Sequence, residues 1–266
     1  LKGIAVQDTS PTEQITYAFQ RMCAEVDREG VIGFANTAKV RLMPEQQRYL
    51  EEKLRVLGPT KDFTAVSLGL LYHEEEVTAI PAQWRARPSP DDRWGEYAQA
   101  YEELNRLLDR IVSALANSFH GVAEQATLAG WGARISHVSE YYPHCVSHRA
   151  FAAAAGLGWR GRHSLIVTPE AGPALRFATL FIPENVQSQR RRLAGCGDCR
   201  ACLDVCAFLR EIDDHREPCR RRLNALGLGA EVCGICMRVC WEQIRRWSDH
   251  VSSLSGSSRA AEAVLE

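Results

Sequence analysis

The sequence predicts an α+β chain of two unequal parts. A mixed helix and strand domain is expected over residues 1–187, a small cysteine-built module over 188–250, and a Ser-rich, mobile tail over 251–266. Three observations carry this reading. Eight of the ten cysteines fall between Cys196 and Cys240. Upstream of them, apolar residues recur at helical spacing in some stretches and as short β-prone runs in others. Between the two parts, Pro183 to Ala194 is polar and basic, as domain boundaries often are.

The elements follow in order. Ser10-Pro11-Thr12-Glu13 offers a hydroxyl cap, a proline in the first turn and an acid near the positive dipole end, so a helix starts there. Ile15, Phe19, Met22, Cys23 and Val26 form its apolar stripe, which makes Cys23 a core residue. Gly30 ends it, and Val31 to Ala35 reads as a short buried strand. Pro44 to Leu54 predicts a second helix, and Phe63 to Tyr72 a central strand. Pro81, Pro88 and Pro90 then mark a long polar loop, of a length that often supplies a lid or a substrate wall. From Tyr97, the positions Tyr101, Leu104, Leu107, Leu108, Ile111 and Leu115 give a long amphipathic helix that ends near Phe119-His120-Gly121. An alanine-rich helix, Ala150 to Ala155, stops at Gly156. His163 to Val167 and Leu175 to Ile182 read as two strands of a hairpin around the turn Pro169 to Pro173. After Cys240, Trp241 to Trp247 finishes a helix.

The cysteines carry the chemistry. Cys196, Cys199, Cys202 and Cys206 read C-x2-C-x2-C-x3-C, a run in which three thiolates face one cubane and the fourth reaches a second cluster. Geometry then assigns Cys196, Cys199, Cys202 and Cys240 to one 4Fe-4S cluster. Cys206, Cys219, Cys233 and Cys236 hold the other. A disulfide framework suits a short secreted chain, and zinc knuckles come as separated pairs, so neither fits these successive spacings. Ala207 and Trp241 stand where ferredoxin runs usually carry proline, which shapes the exit turn and ligates nothing.

Composition excludes some classes. The chain is 45% hydrophobic and 24% charged with a formal net charge of -1, so it lacks a global basic field, and nucleic acid contact would rest on patches such as Arg190 to Arg192, Arg220 to Arg222 and Arg245 to Arg246. Solvated arginines that balance cluster charge are the simpler account of them. No apolar run reaches the ~20 residues of a membrane span, and Leu1 to Asp8 lacks signal-peptide patterning, so a reducing cytoplasm is expected. Gly156-Leu157-Gly158-Trp159-Arg160-Gly161 matches G-x-G-x-x-G, yet a helix precedes it and a strand follows, the reverse of a dinucleotide site. Its glycines permit close backbone approach to a flat ligand or a neighbouring element. His144, Cys145 and His148 could ligate metal by composition, but spacing places no further ligand with them.

One resemblance joins the two parts. Ala153-Ala154-Ala155-Gly156-Leu157-Gly158-Trp159-x-Gly161-Arg162-x-Ser164-Leu165-Ile166-Val167-Thr168-Pro169, followed by the cysteine runs, resembles the epoxyqueuosine reductases, with specific likeness from about Ala150 to Trp241. The resemblance implies a nitroreductase-like, cobalamin-binding domain followed by a ferredoxin-like domain with two 4Fe-4S clusters. It implies a cytoplasmic reductase whose electrons come from a low-potential donor such as ferredoxin or flavodoxin. The substrate would be a small molecule, a nucleoside or transfer RNA, carrying an epoxide, a halide or a related group. Gly158, Trp159, Gly161, Arg162 and Ser164 fall where that family packs its corrin-side loop. The family's proton-donating carboxylate lies just before the alanine-type helix, and His148 stands there in this chain. Arg149 and Tyr141 are further candidates for catalytic or substrate roles. Arg162 replaces the family's usual lysine, keeping the charge but not its point geometry. Two rivals share this framework: an electron-transfer protein without the corrin, and a flavin-dependent reductase.

Overall fold

In this computed structural model, Ser10 caps α1 (Pro11–Glu25), its hydroxyl accepting the Glu13 N–H at 3.4 Å while Glu13 Oε2 accepts the Ser10 N–H at 2.8 Å. Ile15, Phe19 and Cys23 of α1 are buried, so Cys23 is a core residue. Next come β1 (Gly30–Asn36), α2 (Pro44–Leu54), β2 (Thr64–Leu71), α3 (Glu74–Thr78), α4 (Trp94–Ser118), β3 (Val122–Glu124), α5 (Trp131–Arg134) and a 3-10 turn at Val138–His144. They are followed by α6 (His148–Ala154), β4 (Trp159–Arg160), β5 (Ile166–Val167) and β6 (Leu175–Ile182). The cysteines ride on or beside α7 (Ala201–Val205), α8 (Ala207–Glu211), α9 (Arg216–Leu226) and α10, residues 235–247. The structure describes residues 9–59, 62–126, 131–186, 195–212 and 214–247. The basic run Arg190 to Arg192, the boundary expected at 188 and the Ser-rich tail lie outside them.

Four strands pair antiparallel in the order β1-β2-β6-β3. β2 is buried along nearly its whole length because helices cover both faces of the sheet. Its Val66, Leu68 and Leu70 enter a core with Ile15 and Phe19 of α1 and Leu104, Leu108 and Ile111 of α4. The alternate residue Ala65 faces a second core with Leu50 and Leu54 of α2 and Phe151 of α6. This is the two-residue period of a strand read on both sides.

The expected hairpin does not form. β5 is only two residues long and pairs with β4, while β6 runs between β2 and β3 in the main sheet. Glycine explains the difference, since a Cβ on Gly158 would lie 2.4 Å from the Val167 carbonyl oxygen. The backbone of β4 can therefore close on β5 before β6 begins. Ser164, at φ +66°, turns the chain between them. Two smaller differences concern the polar loop. It contains α3, where Glu76 accepts the His73 N–H at 2.8 Å and two bonds from Arg28, and α4 starts three residues earlier than the apolar stripe predicts.

The cysteine-bearing segment shares the main core. Leu226, Val232, Ile235 and Met237 pack in the same cluster as α1 and α4, and Trp94 Nε1 donates to the Cys233 carbonyl at 2.7 Å. Gly234 sits at φ +80° with Tyr97 so near that a Cβ would lie 2.6 Å from its ring. Among the described residues no helix is long and apolar enough to cross a membrane.

Candidate functional site

Two helices, α7 with its C-terminal cap and α10, carry cysteines four residues apart. Cys202 lies on α7 and Cys206 at its C-terminal cap, while Cys236 and Cys240 lie on α10. Positions four apart share a helix face but sit about 6 Å apart along the axis, so each pair can address two neighbouring centres. The electrostatic neighbours of each thiol follow that division. Cys240 feels Cys202, Cys196 and Cys199, whereas Cys219 feels Cys233 and Cys206. Cys236 feels Cys219, Cys233 and Cys206 and, least of these, Cys202, so the two groups adjoin. Burial first, then the neighbouring thiols, pushes Cys219 and Cys240 up to about 12 and Cys236 well above the usual thiol value. Thiols gathered this way resist ionising by themselves, and bound cations reverse that because the thiolate is the ligand form. Among the described residues no group of three or more His, Cys, Asp or Glu converges on a position for a single metal ion. A four-iron cubane requires sulfurs spread around its corners instead.

Against the group of Cys206, Cys219, Cys233 and Cys236 lies a cavity of about 490 Å³. It is also lined by Tyr72, Tyr97 and Tyr101, by Arg149 and Arg176, and by Tyr141, Tyr142 and residues 145–148. A volume of this size and a largely aromatic and apolar lining with a few polar groups are usual for cofactor and substrate pockets. A smaller cavity of about 190 Å³ adjoins it, and Tyr141, Cys145, Val146 and His148 line both. In the smaller one Glu124, buried on β3, accepts from Lys53 Nζ, from Tyr49 Oη at 3.1 Å and from the Val146 N–H at 3.3 Å.

The start of α6 places His148 and Arg149 at this wall. His148 Nε2 lies 2.7 Å from the Gln125 carbonyl and Nδ1 2.8 Å from Thr179 Oγ1. Only a donor can face a carbonyl, so Nε2 carries the proton and Nδ1 accepts from the threonine. Burial lowers the pKa of His148, against the pull of Glu124, so the ring is neutral at pH 7 with both nitrogens occupied. Arg149 Nη1 donates to the Ser164 carbonyl at 2.8 Å. Tyr141 packs edge-on to Trp131 at 6.4 Å. His144 lies 4.5 Å from the same indole, and Cys145 is pushed up to about 12 by burial, so His144, Cys145 and His148 face different surroundings.

Of the five residues expected on the corrin side, none lines the large cavity. Gly158 and Gly161 lie against Val167 and His163. Among the described residues Trp159 Nε1 is buried without a hydrogen-bond partner, and the Ser164 carbonyl holds Arg149. Arg162 turns to the first cysteine run, donating from Nε to the Cys199 carbonyl at 3.1 Å and from Nη2 to the Gly197 carbonyl at 2.8 Å.

No family model matches the chain. An epoxyqueuosine reductase from Alicycliphilus denitrificans is 29% identical over 168 residues, covering 56% of this chain and 44% of the relative. One from a Synechococcus species is 27% identical over 179 residues, covering 58% and 51%. The chain is similar to these epoxyqueuosine reductases. It spans about half the length of these curated relatives. Among solved structures, the epoxyqueuosine reductase from Streptococcus thermophilus aligns at a TM-score of 0.44 and 19% identity, covering 78% of this chain and 56% of the other.

The sequence reading missed several wall residues. Arg176 was legible as a cation inside the apolar strand LRFATLFI, and it reaches Asn105 Oδ1 at 3.0 Å and stacks 4.3 Å from the Tyr101 ring. Trp84, from the polar loop, lines the cavity and packs edge-on to Phe208 at 5.3 Å. Glu124, His163 and His215 stand in stretches with no spacing signal.

Proposed function

We propose that this chain is an oxidoreductase of the epoxyqueuosine reductase type, with two 4Fe-4S clusters leading to a substrate cavity between a nitroreductase-like and a ferredoxin-like domain. The observation that carries the reading is the large cavity whose lining includes Cys206, Cys219, Cys233 and Cys236. The clusters would be held by Cys196, Cys199, Cys202 and Cys240, and by Cys206, Cys219, Cys233 and Cys236. They would supply single electrons at low potential. The chain's own residues do the rest. Arg149 and Tyr141 bind and orient the substrate, the three tyrosines and Trp84 keep bulk water from it, and Arg162 fixes the loop of the first cysteine run. His148 is an acid only in its protonated form, and it gives a proton from Nε2 only if that N–H leaves the Gln125 carbonyl, so an acid role requires protonation of the ring and displacement of that bond by substrate. Cobalamin in the cavity follows from the resemblance, and the apolar lining and the size accept part of a large flat cofactor.

A second reading, reduction without a corrin, is favoured by one observation: Gly158, Trp159, Gly161, Arg162 and Ser164 do not line the cavity. Anaerobic purification with iron and sulfide analysis, then cobalamin titration under a low-potential reductant, separates the two. About eight irons and a shifted, tightly bound corrin spectrum support the first reading and justify assay on epoxyqueuosine transfer RNA. The same iron content without a corrin response supports the second, and flavin bands select the flavin-dependent form. Iron well below one cluster per chain overturns both.

A further inference from the structure

The wall of the large cavity nearest α6 is cationic and has an unused donor. His163 is 5% exposed, and its Nδ1 accepts the Leu165 N–H at 3.1 Å, which puts the ring proton on Nε2. That Nε2 is buried and, among the described residues, has no hydrogen-bond partner, although the residue lines the cavity. An unmade bond from a buried donor is costly, so such a group signals a ligand. Beside it stands Arg149. Among the described residues no carboxylate forms an ion pair with this guanidinium, and its charged neighbours are Arg160, Arg216 and Arg176. Arg216 and His215 line the same cavity, where Asp214 is already engaged by Arg216 at 2.8 Å. A buried guanidinium with other cations around it is stabilised by an anion placed beside it.

We propose that Arg149 and the Nε2–H of His163 form an oxyanion subsite in the cavity wall, and that the group it takes is a phosphate, carried by a nucleotide-containing substrate or cofactor. A planar fork and a separate N–H arriving from another element match several acceptor oxygens better than the two of a carboxylate. The inference rests on the cavity being the substrate and cofactor site, and it names the chemical class bound there.

The test uses anaerobically purified holoprotein with inorganic phosphate, followed by phosphorus NMR line broadening, and uridine 5′-monophosphate, followed by calorimetry. Iron content is read in parallel, so that loss of clusters and loss of anion binding are told apart. Arg149→Gln and His163→Leu are each expected to weaken binding about tenfold or more, while Arg149→Lys and His163→Gln, which keep a charge or a donor, lose less. Displacement of phosphate by cobalamin assigns the subsite to a cofactor phosphodiester; displacement by the nucleotide alone assigns it to substrate. Absence of binding to iron-replete wild-type protein overturns the proposal. So does unchanged binding in both Arg149→Gln and His163→Leu.

Discussion

His163 is neutral in the folded chain because burial, then His215 and Arg149, lowers its pKa from 6.5 to about 4. The unfolded chain takes up a proton near the ordinary value, so protons favour unfolding. Stability is therefore full above pH ~6.5 and falls as the pH drops towards the folded value, by up to ~3 kcal/mol. Denaturant midpoints measured from pH 7 to 4.5 should decline less steeply in His163→Gln than in wild type; equal slopes would mean that the ring titrates normally. His148 has the same sign, its pKa lowered mainly by burial. If it is the proton donor, turnover must decrease with rising pH through a value below the usual histidine range. Activity that stays level from pH 6 to 8 and survives His148→Asn would remove that role. Glu124 gives a third prediction at this scale. Its carboxylate is buried with Lys53, so Lys53→Met strands a charge, and chemical denaturation should show a loss of about 3 kcal/mol. Glu124→Gln on the Lys53→Met background should recover part of it.

Elements were legible where a local pattern and tertiary packing agree. The cap at Ser10 and the stripe Ile15, Phe19, Cys23 gave α1, and Pro44 gave the start of α2 because each signal lies within one turn. β6 was read with its correct bounds yet the wrong partner, since apolar runs specify burial and not which edge they join. The wall residues were illegible for a related reason: Glu124, His163 and Trp84 meet only through the fold. Gly158 shows how such long-range fit is stored in a single residue. Gly158→Ala would drive a methyl into the Val167 carbonyl, and should cost about 2 kcal/mol or more by thermal or chemical unfolding. Gly95, in the first turn of α4, has nothing within 4 Å of its added Cβ. Gly95→Ala should leave stability unchanged or raise it by up to ~1 kcal/mol, so the pair separates a packing requirement from helix propensity.

At the scale of the molecule, the order of cysteines in the chain differs from their grouping in space. Cys240 ends the sequence run begun by Cys233 and Cys236, yet its electrostatic neighbours are Cys196, Cys199 and Cys202. The i and i+4 positions of α10, like those around α7, place cysteines of both groups next to one another. Pairs of variants test the sharing through iron content alone. Under the proposed grouping, Cys240→Ser and Cys236→Ser each remove about half the iron, and the double variant removes nearly all of it. Cys240→Ser combined with Cys202→Ser should lose no more iron than either alone, because both changes strike one cluster. Grouping by sequence run instead would make the Cys236 and Cys240 losses overlap and the Cys202 and Cys240 losses add. Because the two schemes predict opposite patterns of additivity, iron analysis of six purified proteins, wild type included, chooses between them without a substrate, an electron donor or a bound corrin.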